Sequence, residues 1–391
     1  MSDDLPKVSI RAGGDPLKMA METLDEVVTA DVRGKRILIK PNIGFQSTPA
    51  AGVVTHPEVV AGAVRWARNR HALEILVGDS CIYGVDAASA FEASGIQAAV
   101  EREGGKMIHL DDFDPLTLPV PDPLIIDKVK VSSIYNEVDL VMSVPVIKAH
   151  MHTGATLSLK NLKGLLYRKE KGRMHHLKQK KIVEYHRHMR TLDSAIADIT
   201  SVVMPQIVLL DAMVVMEGMG PLIGDARRIG AVLAGEDAVA TDIVGLELIG
   251  FTKEDVPHIH LAAFKQGRED LSLSDINVDR ALLARIRTPI KKAISEDISS
   301  AYPYFLLSES DACSACDATV MAFLKTYGAD YKGVDQTQII MGKGIQKEDI
   351  KLKHCIVLGN CAAKHRKQGA FLEGCPPIPS DIKKALEDSG Q

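Results

Sequence analysis

Five of the six cysteines in the chain lie within 63 residues, in the pattern C-x2-C-x38-C-x5-C-x13-C-P running from Cys313 through Cys316, Cys355 and Cys361 to Cys375. Sulfur is a soft ligand, and thiolates gathered in this way suit iron–sulfur clusters or zinc. Structural zinc usually takes two short-spaced knuckles, and only Cys313–Cys316 is one. The last cysteine stands in EGCPPIP, where proline removes a backbone donor and fixes the turn, as in cluster-binding loops. LGNCA and EGCPP each set a glycine within two residues of the sulfur, which lets backbone amides approach cluster sulfides. The expectation is one 4Fe–4S cluster held by Cys313, Cys316, Cys361 and Cys375, with zinc as the alternative and a thiol redox pair behind it. Cys355 falls in KHCIVLG, which reads as a buried strand where a free cysteine acts as a small hydrophobe. Cys81 follows GDS and stands apart.

A second set of chemistry-bearing residues sits at the ends of apolar runs. LIKPN ends in Lys40, Pro41 and Asn42; LVGDS ends in Asp79 and Ser80. SVPVIKAHMHT ends in Lys148, His150, His152 and Thr153, and IVLLDAMVVMEGMGP carries Asp211 and Glu217. His150 and His152 alternate, so they share a face if that stretch is extended, and could move protons or bind a divalent metal. Lys148 and Lys160 flank HMHTGATLSL, small and hydroxyl-rich, like a loop that grips an oxyanion.

The elements that must position these groups follow from the patterning. RILIK (36–40), LEILV (73–77), VDLVMSV (138–144), QIVLL (206–210) and IGAVLA (229–234) read as buried strands. PEVVAGAVRWARNR (57–70), DAASAFEASG (86–95), TLDSAIADITSVV (191–203) and EDAVATDIVGLELIG (236–250) read as helices, with Gly95 closing the second and Asp237 in the first turn of the last. Strand–helix alternation predicts an α/β fold: a mainly parallel, doubly wound sheet with helices on both faces. Ligands in such sheets bind beyond the carboxyl ends of the strands, which is where the four polar clusters fall. ALLARIRTPIKKAISEDI (281–298) reads as a linking helix, and the boundary is placed at 295, with a small α+β cysteine-containing domain over 296–391.

Residues 160 to 190 hold seven Lys, four Arg and four His against Glu170 and Glu184. That density attracts anions and reads as a lid-like insertion over an anionic substrate; with no recognised motif beside it, nucleic acid is not the expected partner. His175, His176, His186 and His188 are read as charge rather than metal ligands.

The chain has 391 residues, with 46% hydrophobic and 25% charged content and a formal net charge of −4, enough for two or three soluble domains. Aromatic residues make up 4%, with Trp66 the only tryptophan, which argues against a base-stacking platform. No apolar run reaches membrane-spanning length and MSDDLPKVSI has no signal character, so the expected location is the cytoplasm, where spaced cysteines mean metal or catalysis more often than disulfides. No Gly-rich dinucleotide fingerprint follows any strand.

LIKPN with the downstream THP (55–57), VGDS, the K-x-H-x-x-T-x-x-T-x-S-x-K-N-L-K-G run from Lys148 to Gly164, DA…EGMGP and GEDAVATD resemble the family called "domain of unknown function 362" over roughly residues 35 to 245. The resemblance implies an accompanying iron–sulfur module, commonly ferredoxin-like; here the cysteines are irregular and the loop ends in GCPP, so no ligand set carries over. The chain is also similar, by loose analogy, to nickel-dependent lactate racemases in having polar strand ends, lysines and histidines about an anionic cofactor; no residue is carried over.

These features together predict an iron–sulfur enzyme of redox type, of anaerobic-type metabolism, acting on an anionic small molecule. Lys148, His150, His152, Asp79 and Asp211 are the expected catalytic set; Lys40, Asn42, Ser80, Thr153, Lys160, Asn161 and Glu217 are the expected substrate-binding set. An electron-transfer partner and a homo-oligomer belong to the same expectation. A non-catalytic carrier or sensor with a structural cluster, and a zinc-stapled isomerase or transferase, are the alternatives.

Overall fold

The computed structural model describes residues 5–82, 85–177, 190–293, 302–312 and 314–389. His186, His188, Cys313 and the expected boundary at 295 lie outside the described residues.

Fifteen strands are described: β1 (Val8–Ala12), β2 (Arg36–Pro41), β3 (Glu74–Asp79), β4 (Lys106–His109), β5 (Pro115–Pro119), β6 (Lys128–Ser132), β7 (Leu140–Val144), β8 (Val146–His150), β9 (Gly154–Thr156), β10 (Ile207–Glu217), β11 (Asp225–Gly235), β12 (Phe305–Glu309), β13 (Thr337–Met341), β14 (Cys355–Leu358) and β15 (Ala370–Leu372). The large sheet runs β1-β11-β10-β7-β2-β3-β4, parallel from β10 to β4, with β1 and β11 antiparallel at one side. Its middle strands are buried on both faces, which explains their unbroken apolar sequences. Ile37 and Ile39 of β2 pack with Val59, Val60 and Trp66 of the helix Pro57–Asn69, while Leu38 between them packs with Leu192 and Ile196 of the helix Thr191–Thr200. Caps set the helix starts: Asp86 and Asp237 accept from Ser89 N and Ala240 N, so Asp237 stands one position before the first turn.

Pro145 separates β7 from β8. β7 pairs with β2 and the start of β10, whereas β8 pairs with the far half of β10 and, antiparallel, with β9. This step moves the strand that ends in His150 away from β2 and onto the far half of β10. The QIVLL run extends to Glu217, because DAMVVME continues as an exceptionally long strand against β11 with a bulge at Ala212/Val214.

The second sheet, β12-β13-β14-β15, is parallel throughout and flanked by the helices Ser314–Tyr327 and Pro379–Asp388, forming a separate small C-terminal domain. Met151 and Met219 of the first domain sit in its core beside Phe323, Met341 and Leu358. Cys355 occupies a buried strand position, its thiol against Leu352 O at 2.7 Å. The expected helix over 281–298 is shorter: it runs Arg280–Ile286, since Pro289 forces Thr288 out of helical backbone. Among the described residues no helix is long and apolar enough to cross a membrane.

Candidate functional site

The parallel strands deliver their polar ends to one edge, where the groups divide into a sealed floor and a less satisfied rim. In the floor, Lys40 is fully buried and pairs with Asp79 at 2.7 Å. Its ammonium also donates to Pro41 O at 3.0 Å and Asn161 Oδ1 at 3.1 Å, so all three protons are used. Asp79 accepts in turn from Ile43 N and Ser80 N. Asn161 donates to Lys40 O and Ser143 Oγ, and its oxygen takes Asn42 Nδ2 at 3.2 Å. Lys148 donates to Asn42 Oδ1 at 2.8 Å and Val53 O at 2.7 Å. Burial drags Lys148 down to about 7, with Asp79 opposing and Lys40 adding to the fall. Burial likewise lowers Lys40, against the pull of Asp79.

Asp211, expected to face substrate, is buried against backbone: Oδ2 accepts from His56 N and Oδ1 from Met213 N. Burial raises it to about 6. Ser80 belongs to a latch, giving its hydroxyl to Asp111 at 2.9 Å and taking Lys171. Glu217 accepts from Lys291 N at the far end of β10. Lys40, Asp79, Asn42 and Asn161 are therefore gathered, but as one closed network, while Asp211, Ser80 and Glu217 each serve a local contact.

The rim is built by the loop after β8 and by the first half of the basic segment. Leu162, Leu165, Leu166 and Met174 bury that half in the core, and Lys171 ties it to Asp111, so residues 160–177 form a fixed wall. From that wall come Lys160, whose ammonium has, among the described residues, a single 3.2 Å bond to Thr156 Oγ1, and Lys163, 3.0 Å from His175 Nε2. Burial and the neighbouring Lys163 and Lys148 charges push Lys160 well below a normal lysine; burial and Lys171 bring Lys163 to about 8. His150 Nδ1 accepts His152 N–H at 3.0 Å, which leaves its proton on Nε2. His152 Nε2 meets Thr319 Oγ1 at 2.9 Å, and that hydroxyl donates to Pro377 O, so the imidazole is the donor and is anchored to the second domain. Burial first, then the surrounding lysines, hold His150 far below its usual value and His152 at about 3; both rings are neutral. The buried hydroxyls of Thr153 and Ser158, on the same loop, have no hydrogen-bond partner among the described residues. A cavity of about 240 Å3 opens beside His150, Gly154, Arg190, Glu254, Asp255 and Lys292.

Three carboxylates of the site were not singled out in the sequence. Asp242 caps the short helix Ser158–Asn161 through Ser158 N at 2.9 Å and Leu159 N at 3.1 Å, and burial raises it to about 7. Asp193, fully buried, takes Arg190 Nε at 2.5 Å and His258 Nδ1 at 3.0 Å. Asp198 holds the amides of Leu124, Ile125 and Ile126 and the ammonium of Lys265. All three lie inside stretches that read as ordinary helices.

The cysteine loops abut this wall. A Cβ built on Gly359, whose φ is +87°, would lie 3.1 Å from Cys316 Sγ and 3.9 Å from Cys361 Sγ, so the bare glycine leaves room beside both sulfurs. Cys375 N donates to His175 O at 3.2 Å, and Thr191 donates to Cys375 O. Asn360 clasps Gly374 N and Leu177 O. Among the described residues no three His, Cys, Asp or Glu side chains are grouped closely enough to hold a metal.

Comparison with known proteins adds three findings. A thylakoid-associated protein of Synechocystis sp. is 27% identical over 233 residues, covering 57% of this chain and 66% of that protein, so the chain spans just under two thirds of its relative. The lactate racemase apoprotein of Thermoanaerobacterium thermosaccharolyticum superposes with a TM-score of 0.39 at 12% identity, over 64% of this chain and 59% of that one. Residues 37–247, from the start of β2 through the Asp242 cap, match the family described as domain of unknown function (DUF362), and the chain belongs to that family.

Proposed function

We propose that the chain binds an anionic small molecule at its rim and acts on it as a cytoplasmic, iron–sulfur-dependent enzyme of redox type. The observation that carries the reading is an imbalance of charge. Lys160, Lys163, His150 and His152 converge, and among the described residues no carboxylate bonds to any of them. A ligand carboxylate or phosphate would supply the missing counter-charge in a site where water screens poorly. Lys163, protonated below about 8, meets the ligand's negative charge, and Arg190 lines the cavity beside His150. His150 presents Nε2–H to a ligand oxygen as a hydrogen-bond donor, since Nδ1 is fixed as an acceptor. His152 is tied to Thr319 and positions the loop.

The donor chemistry supports a thiolate-held centre in residue type: Cys316 and Cys361 are soft ligands beside the bare Gly359, Cys375 follows Gly374, and a cluster draws these thiolates together with Cys313, which lies outside the described residues. A bound 4Fe–4S cluster supplies single electrons, delivered by an electron-transfer partner. A structural role for the same centre is the second reading, favoured by the bonds that tie the Cys375 loop to His175 and Thr191.

The test is metal and sulfide analysis of protein purified without oxygen, with its visible spectrum before and after dithionite. About four iron and four sulfide per chain, with bleaching, is the expected result. Cys375→Ser is expected to lose most of the iron and Cys355→Ala to keep it. Zinc without sulfide removes the redox reading; iron that never bleaches leaves the structural one. Anion binding is tested separately, by calorimetry with oxalate and phosphate.

A further inference from the structure

The cavity beside His150 is lined by charges of both signs, and the reading above uses only one of them. Two lining groups suit an anion. His150 presents Nε2–H, and the Arg190 guanidinium is fixed through Nε to Asp193 at 2.5 Å. Asp193 is fully buried and braced by His258 at 3.0 Å, so Arg190 is held in place at the cavity. Two other lining groups are carboxylates, Glu254 and Asp255, in the turn that leads into the helix Pro257–Lys265. The loop after His150 and that turn abut at Gly154, where φ is +77° and any Cβ would run into Asp255 O.

Lys292 marks where a cation belongs. Its ammonium is 2.7 Å from Asp255 Oδ1 and 5.5 Å from the centre of the Phe251 ring, and all three residues line the cavity. A carboxylate and an aromatic face therefore share one positive charge there. The Lys292 side chain is 45% exposed, and an ion pair of that kind is worth about 0–1 kcal/mol. A ligand ammonium displaces it at little cost. Glu254, next to Asp255, has no ion pair among the described residues, and its hydrogen bonds with Thr252 and its own backbone keep it ionised. The space, about 240 Å3, is smaller than the roughly 300–1,000 Å3 of sites for drug-sized molecules, so it suits a small metabolite.

We propose that this cavity binds a free α-amino acid as its zwitterion. The ligand ammonium takes the place of the Lys292 head beside Asp255 and the Phe251 ring, and the carboxylate meets Arg190 and His150 Nε2–H. The carboxylate end rests on the anion-binding reading above; the ammonium end is new. Met151, Pro257 and Ala293 leave an apolar lining for a short aliphatic side chain. No bond is made or broken in this step.

The full chain, purified without oxygen, is titrated by calorimetry at pH 7 with L-valine, L-alanine and the two halves of valine. Isovalerate lacks the ammonium and isobutylamine lacks the carboxylate. L-valine is expected to bind at least about tenfold more tightly than either half. Lys292→Met is expected to tighten L-valine about threefold, because no resident cation has to leave, and to leave isovalerate unchanged. Glu254→Gln is expected to weaken L-valine about threefold, again without effect on isovalerate. Both substitutions fall on exposed side chains, so the fold is retained. Weaker L-valine binding in Lys292→Met overturns the proposal. Isovalerate that binds as tightly as L-valine overturns the ammonium site and leaves the anion reading standing. Isobutylamine that binds as tightly overturns the carboxylate end. Silence of both amino acids while oxalate binds overturns the proposal alone; silence of oxalate as well overturns the reading beneath it.

Discussion

The floor and the rim of the site use the same residue types to opposite ends. Lys40 and Lys148 lie under the strand ends with every proton of Lys40 placed and two firm bonds on Lys148. Lys160 and Lys163 stand a few residues further along the same family motif, each with one hydrogen bond from its ammonium among the described residues. The difference lies in what surrounds the ammonium, and it assigns the first pair to holding the strands in register and the second to meeting a ligand. A buried charge with a complete shell is architecture; a partly buried one with an open shell is a receptor.

The sharpest break of that contrast is a pair of truncations. Lys40→Met strands the buried Asp79 carboxylate and is expected to cost about 3–5 kcal/mol in urea or guanidinium unfolding. Lys160→Met is expected to change stability by less than about 1 kcal/mol, because it removes a charge that has no anionic partner bonded to it. Equal losses in the two variants would erase the distinction between floor and rim.

Titration divides the regions next. Asp242 at about 7 and Asp211 at about 6 have folded values above the unfolded carboxylate value of about 4, so the folded state binds more protons between pH 4 and 7. Stability from these groups is greatest at the acid end of that window and falls as pH rises, by up to about 1.4 kcal/mol per unit for each group. Asp242→Asn is expected to flatten the melting temperature between pH 5 and 7.5. A steeper slope in the variant would contradict the burial account. At the rim the sign concerns binding: Lys163 is protonated below about 8, so oxalate affinity, followed by calorimetry, is expected to drop about tenfold per unit above that value. Lys163→Arg would hold the affinity beyond pH 9.

The smallest effect tests the joint between the rim and the cysteine-bearing domain. Thr319→Val removes both the His152 and Pro377 bonds and is expected to cost about 1–2 kcal/mol. Proton-detected NMR of His152 would then show its Nε2–H exchanging faster.

Much of the frame was legible in the sequence because apolar periodicity reports burial directly. RILIK, LEILV and VDLVMSV are strands of the parallel sheet, and Gly95 ends its helix in the left-handed conformation at φ 72°. The linking helix was read too long because the apolar spacing outlived the Thr288–Pro289 stop signal. Within the site, the residue types were visible and their division was not. Lys40 and Lys160 look alike in a string of letters; only tertiary neighbours separate an ammonium with three acceptors from one with a single long bond. Asp193, Asp198 and Asp242 were passed over because a carboxylate in an amphipathic helix ordinarily marks the wet face, and here each turns inward to backbone amides or buried cations. His258 is one letter in VPHIH, and nothing local marks it as Asp193's partner 65 residues away.

The interruption at Pro145 has a mechanical consequence. The polypeptide from β7 to Met151 is anchored at one end between β2 and β10 and at the other in the core of the second domain. It behaves as a beam fixed at both ends, with His150 near its far support. A load passed between the domains therefore runs through the same short span that sets the posture of the imidazole.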